Sequence, residues 1–558
     1  MRYLPDAKQM KTADSFTINE LKIPSLELME RAARACVNHI KDWKINLNKI
    51  CVLCGSGNNG GDGFAIARMF AWEGYDVTAV LVGNRDHCTP ETAHQIEQLK
   101  NTGAQFKEQF EQEAFESEPY TLIIDAIFGV GLCREVGGRY AQIIECVNQS
   151  DAVRMSVDIP SGICATTGNV LGTAVRADYT VTIQETKVGL VLDPGRSYAG
   201  ICVSEDIGIV SLPLERDEET VCTLEGSDYA ALLPKRNADS NKGTYGKLLM
   251  ITGSKGMSGA AYLGALAAYR TGTGLVQIYT AKENRVILQS QIPEAIITTY
   301  EKYDVNELHR LIDWADVVAI GSGLGTKKTA RKILKETIAY TKKPCVIDAD
   351  GLNILSEHME YLCGADCEHF IFTPHMKEFE RISGLKIAEV KKDRIAALRT
   401  FVKEYGVTCV LKDSRTTIAN TEVPADTLPV RTATLLVAVI PVPASPSGGH
   451  SGMPASRLPL SSSSFAPSSV SVPASSPALR TSGRRSRSFH GYPFGTIISS
   501  NLSSISASYC PVAGSIGNIP EASPTPSTCL PVSFQCTYPA KVVRKCTRDT
   551  CSSPLITA

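Results

Sequence analysis

The chain has 558 residues, is 43% hydrophobic, and sets 57 Lys and Arg against 58 Asp and Glu for a formal net charge of −1. So balanced a chain offers no field for nucleic acid or an anionic membrane surface, and neither partner is expected. No run reaches the roughly 20 apolar residues of a membrane span, and the opening MRYLPDAKQMKTADS lacks the apolar core of a secretory leader.

In chain order, IPSLELMERAARACVNHI predicts a helix, with Pro24 near its start and Leu28, Ala32, Cys36 and Ile40 on one face. KICVLC, DVTAVLVG, TLIIDAIFG, RMSVDIPSG and YTVTIQ then read as strands. Continuous apolar strands alternating with helices predict a parallel sheet covered on both faces. LPLERDEETVCTLEGSDY is the expected linker. A second α/β set follows with GKLLMITGS, GLVQIYTA, VVAIGSG, PCVIDADG, FIFTPH and VTCVLKD. Cys51 and Cys54 form a CxxC without a second pair at zinc spacing, so plain buried thiols in a reducing cytoplasm are expected.

Three strand ends carry candidate chemistry. GSGNNGGDGF, directly after KICVLC, offers free backbone N–H groups at a helix start, which suits an anionic ligand. It matches neither GxGxxG nor a P-loop. A structural turn would explain its glycines, but Asn58, Asn59 and Asp62 add more side-chain oxygens than a turn requires. IIDAIFGVGLCRE puts Asp125 at the next strand end, and SVDIPSG puts Asp158 and Ser161 at another. In a doubly wound sheet such ends meet the ligand. Hard oxygens without Cys or His suit an alkali or alkaline-earth cation, although each aspartate taken singly could be a helix cap.

These motifs, following an LMERAA helix, resemble the NAD(P)H-hydrate epimerase domain over about residues 1–215. The resemblance implies a Rossmann-like fold that interconverts the R and S hydrates of NADH and NADPH. It implies that Asn58, Asn59, Gly60, Gly61 and Asp62 contact the hydrate, with Gly129, Val130, Gly131, Leu132, Cys133, Arg134, Glu135 and Asp158. It implies that Asn59, Asp125 and Ser161 hold K+. Exchange of a proton or water beside the ring nitrogen calls for a carboxylate, and Asp125 and Asp158 both remain candidates.

KGTYG, GSKGMSGAA, GSGLG, DADGLN, TPHMKEF and VLKDS are similar, in this order, to the ribokinase-like ADP-dependent NAD(P)H-hydrate dehydratase domain, here over 226–425. That likeness implies contact of Ala260, Gly323 and His375 with the hydrate. It implies contact of Lys412, Asp413, Ser414, Arg415 and Thr416 with ADP or ATP, accompanied by Mg2+. A lone histidine is otherwise a cap or core residue. Two alternatives stay open, a small-molecule kinase of the ribokinase class and a non-catalytic binding protein. A homo-oligomer is compatible with the chain.

The likeness breaks after residue 420. The family expects a GSGD segment supplying an anion hole and a catalytic base, and TLPVRTATLLVAVIPVPAS stands in its place. A shifted reading of codons for Thr432 to Pro441 can encode GSGD. The Ser/Pro-rich stretch 426–558 is therefore expected to be a disordered or out-of-frame tail, and the second activity to be impaired.

Overall fold

The computed structural model describes residues 1–233 and 235–420, with the backbone of 435–438. The first sheet holds β2 (Ile50–Cys54), β3 (Val77–Leu81), β4 (Gln105–Lys107), β5 (Leu122–Ala126), β6 (Val153–Val157), β7 (Tyr179–Ile183) and β8 (Ile201–Glu205). The second holds β1 (Arg2–Leu4), β9 (Val221–Thr223), β10 (Lys247–Ile251), β11 (Leu275–Ala281), β12 (Ile296–Tyr300), β13 (Val317–Ile320) and β14 (Cys345–Ile347). It continues through β15 (Phe370–Phe372), β16 (Thr408–Leu411), β17 (Thr416–Ala419) and β18 (Leu435–Ala438).

The first sheet is wholly parallel, in the order β4-β3-β2-β5-β6-β7-β8. Its strands are buried on both faces because helices cover both. Ile50, Val52 and Cys54 of β2 face a cluster shared with helices Ser25–Asp42 and Asn58–Trp72. Cys51 and Leu53 face the opposite cluster, built with helix Gly138–Gln149. The two thiols of the CxxC therefore point to opposite sides of one strand, and burial pushes the Cys51 thiol up to about 12. Helix Ser25–Asp42 buries Leu28, Ala32, Cys36 and Ile40, with Pro24 at its N-cap, as the spacing predicts.

The second sheet runs β1-β9-β18-β17-β16-β15-β14-β13-β10-β11-β12. It is parallel from β16 to β12 and antiparallel from β16 through β17 to β18. Both sheets are α/β and doubly wound, with switch points between β2 and β5 and between β10 and β13. Those points place the ligand crevices.

Two features differ from expectation. The segment expected as a linker forms helix Leu212–Arg216, β9 and helix Gly226–Leu232. Its apolar run is short and flanked by acids, but Val221 and Cys222 are buried. The first strand of the chain, β1, pairs antiparallel with β9 and so lies in the second sheet. Leu4, Val188, Val191, Leu192 and Val221 share one buried cluster with Leu249, Ile251 and Ile320. The core of the second sheet thus takes in side chains from both ends of the first unit. The expected tail from 426 onward lies outside the described residues, apart from the β18 backbone.

Candidate active sites at the strand ends

The glycine loop is a chain reversal packed against a neighbouring strand end. A Cβ on Gly55 would sit 2.0 Å from the Ile127 oxygen, and one on Gly60 1.8 Å from the Gly55 oxygen. These two glycines serve backbone packing. Gly57 differs: it caps helix Asn58–Trp72 with no side-chain hydrogen bond, and open space surrounds its Cα. The unsatisfied amides of this helix start face a cavity of about 700 Å3. Gly60→Ala is therefore expected to destabilise the fold by about 1–3 kcal/mol or more. Gly57→Ala should stay within about 0.5 kcal/mol of the parent. Urea unfolding of both variants checks this, and equal losses would contradict the division of roles.

Asn58, Asn59, Asp62, Gly129, Val130, Gly131, Leu132, Cys133, Arg134 and Asp158 line this cavity. Of the residues expected to contact the hydrate, Gly60, Gly61 and Glu135 do not. Two further ionisable residues, Asp14 and Lys187, line the cavity without any motif to mark them. Asp14 lies on helix Ala7–Asn19, whose start is fixed by Asp6 accepting from the Gln9 amide. Lys187 is 1% exposed and is paired with Asp158, while its ammonium also donates to Thr182 Oγ1 (3.0 Å) and the Ile183 oxygen (2.7 Å). Asp158 accepts in turn from the Ile183 amide at 3.0 Å. Its backbone is left-handed, at φ 68°, which costs a non-glycine residue energy and is typical of functional sites.

Three carboxylates and one buried ammonium thus share the cavity. Desolvation, then repulsion from Asp158 and Asp14, holds the Asp62 carboxyl well above the usual range. Desolvation, then Asp158, also raises Asp14. A carboxyl raised by burial beside an ion-paired carboxylate has the make-up of an acid–base couple.

Asp125 lies elsewhere. It is fully buried and does not line the cavity. It accepts from Ser156 Oγ (2.8 Å), the Ser161 amide (2.8 Å) and Ser161 Oγ (2.5 Å). Ser161 Oγ accepts from the Phe128 amide at 2.8 Å, and the next residue, Gly129, abuts Asn59. The structure therefore gathers Asn59, Asp125 and Ser161 around one loop. Burial raises the Asp125 carboxyl, opposed by its hydrogen bonds from Ser161 and Ser156. No cationic side chain contacts it among the described residues. Unbalanced charge within an all-oxygen donor set fits a bound monovalent cation. Among the described residues no trio of His, Cys, Asp or Glu could hold a metal.

At the second switch point the motif loops are stitched together. The Gly253 amide donates to the Ser322 oxygen (3.0 Å) and the Ser254 amide to the Gly323 oxygen (2.6 Å). Asp348 of DADGLN gathers Ser322 Oγ (3.0 Å), Thr373 Oγ1 (2.8 Å) and Lys412 Nζ (3.0 Å). Desolvation works to raise Asp348, and the Lys412 ammonium, with the Thr373 and Ser322 hydroxyls, outweighs it and holds the carboxyl below its ordinary value. Asp348 was not singled out in the sequence, although its motif was. Gly323 and Ala260 meet: a Cβ on Gly323 would lie 2.8 Å from that of Ala260. His375 caps helix Met376–Ser383, its Nδ1 accepting from the Lys377 and Glu378 amides at 3.1 and 3.2 Å. Of the expected nucleotide segment, Asp413 is held by Arg394 and Ser414 Oγ donates to Asp193 at 2.6 Å. Arg415 is buried, and Thr416 begins β17.

Two doubly wound α/β sheets, each with polar loops converging at its switch point, define a two-site enzyme of the nucleotide-handling α/β class. Residues 25–189 match the family model described as YjeF-related protein N-terminus, and residues 248–438 that described as NAD(P)H-hydrate dehydratase. A bifunctional NAD(P)H-hydrate repair enzyme of Coxiella burnetii is 34% identical over 426 residues, covering 75% of this chain and 83% of the relative. One from Moorella thermoacetica is 32% identical over 433 residues, covering 75% and 82%. A solved ribokinase-like superfamily protein from Enterococcus faecalis aligns with TM-score 0.35 and 27% identity, over 41% of this chain and 75% of its own. The chain belongs to the bifunctional NAD(P)H-hydrate repair enzyme family. No described helix is long and apolar enough to cross a membrane.

Proposed function

We propose that the first cavity interconverts the R and S hydrates of NADH and NADPH. The observation that carries this is the Asp158–Lys187 pair facing the raised acid Asp62 across one cavity. Asp158 takes a proton near the hydrated carbon, Asp62 supplies one, and Asp125 serves the cation. Of the two aspartates left open, this reading takes Asp158, which lines the cavity as Asp125 does not. Incubating the protein with R-hydrate and resolving the epimers by chromatography tests this. A failure to form S-hydrate, with ligand binding intact, would favour a binding protein.

We further propose that Asn59, Asp125 and Ser161 hold K+, which supplies charge compensation to the buried carboxylate. A raised Asp125 favours the folded state below the ordinary aspartate range, about 3.9, and that advantage is lost as pH climbs through the folded value. A bound cation offsets the loss. Potassium chloride should therefore raise the melting temperature at about pH 7.5 and hardly at about pH 4, relative to choline chloride of equal ionic strength. Equal effects at both pH values would remove the cation from Asp125.

The second site is proposed to dehydrate the S-hydrate with ADP or ATP and Mg2+, Lys412 to Thr416 facing the nucleotide and Ala260, Gly323 and His375 the hydrate. Its activity is proposed to be impaired, because no GSGD follows residue 420.

A further inference from the structure

A second cavity, of about 790 Å3, adjoins the first, and Lys11, Val130, Gly131, Leu132 and Cys133 line both. The two differ in lining, and the three aspartates belong to the first alone. The first holds Asp14, Asp62 and Asp158, with its buried ammonium already spent on Asp158. A dinucleotide carries negative phosphates between its two nucleosides, and the one buried ammonium lining this cavity is already paired with Asp158 and offers them no free charge. The phosphates must therefore stay at the mouth. There Lys11 Nζ lies over Gly131, 3.3 Å from where a Cβ would stand. Arg134, next in the chain to the shared Cys133, lines the first cavity. Both side chains are exposed, and neither has an ion-pair or hydrogen-bond partner among the described residues. Two unpaired cations beside a cavity rich in carboxylates make an anion subsite. Beyond Lys11, the second cavity offers hydroxyls and amides from Thr12, Ser15, Asn19 and Thr166, with Phe16 and Leu171 as apolar walls. Mixed apolar and hydrogen-bonding walls suit a ribose and a flat base.

Resting on the epimerase function assigned above to the first cavity, we propose that the dinucleotide spans both cavities. Lys11 and Arg134 hold the pyrophosphate where the cavities meet. The second cavity takes the adenosine half, and the first takes the hydrated nicotinamide.

Two variants and a probe test this. Lys11→Met should raise KM for NADH hydrate about 10- to 30-fold and change kcat less than about twofold. Ser15→Trp, at an exposed position, should fill the second cavity. Its penalty in kcat/KM on the dinucleotide hydrate should exceed that on the hydrate of reduced nicotinamide mononucleotide at least about tenfold. NADH should slow alkylation of Cys133, which is exposed and lines both cavities. Reduced nicotinamide mononucleotide should protect it less. Equal penalties on both substrates, or an unchanged KM in Lys11→Met, would overturn the proposal. Absence of turnover in the parent protein would overturn the epimerase assignment instead, while the protection of Cys133 still reports whether a dinucleotide spans the two cavities.

Discussion

Asp158→Asn is expected to lower epimerisation about 1,000-fold, the scale of a lost general base. The variant should also be less stable. Lys187 is 1% exposed and would lose its counter-charge, which costs about 3–5 kcal/mol when one partner of a buried pair is removed. Loss of activity could then be mistaken for loss of fold. The double variant Asp158→Asn, Lys187→Met separates the two, since it removes both charges together. Its urea midpoint should recover most of the way to the parent, while its turnover stays near that of Asp158→Asn. A double variant with parental turnover would take Asp158 out of the chemistry.

The second large effect concerns dehydration. Given S-hydrate, Mg2+ and ADP, the purified protein should regenerate reduced dinucleotide roughly 1,000-fold more slowly than a chain with GSGD restored in frame. The described loops of this site are joined: Asp348 holds Ser322, Thr373 and Lys412 together. Binding of ADP should therefore survive better than catalysis, and calorimetry against ADP distinguishes them. Sequencing codons 415–445 tests the frame itself. Parental rates at family levels, with no GSGD encoded in any frame, would refute both parts.

The sequence made the strand ends legible because local patterns specify them. Apolar runs such as ICVLC and LIIDA are buried on both faces, so they stand out without reference to the rest of the chain. The helix at Ser25–Asp42 is equally plain, its apolar spacing matching its buried face. Short edge strands escaped because their runs are mixed: β4 and β8 are only partly buried. Lys187 and Asp14 escaped for another reason. A lysine after a strand reads as solvated, and only the fold shows that it is sealed beneath Asp158. The glycines were legible but ambiguous. Close packing explains Gly55 and Gly60, and the cavity explains Gly57, and no local rule separates them.

The pairing of β1 with β9 also bears on how the chain is made. Residues 2–4 leave the ribosome well ahead of their partners, for Val221–Thr223 follow only after the whole seven-stranded sheet has been translated. At typical elongation rates that delay is on the order of ten to forty seconds. Throughout it Arg2–Leu4 lacks its strand partner, and Leu4 lacks the Val221, Leu249 and Ile251 side chains of its cluster. Helix Ala7–Asn19, which carries Lys11 and Asp14, meanwhile lacks the strand pairing that anchors the residues before it. The wall of the first cavity is thus the last part of its own unit to be secured, and the segment that secures it belongs to the second sheet.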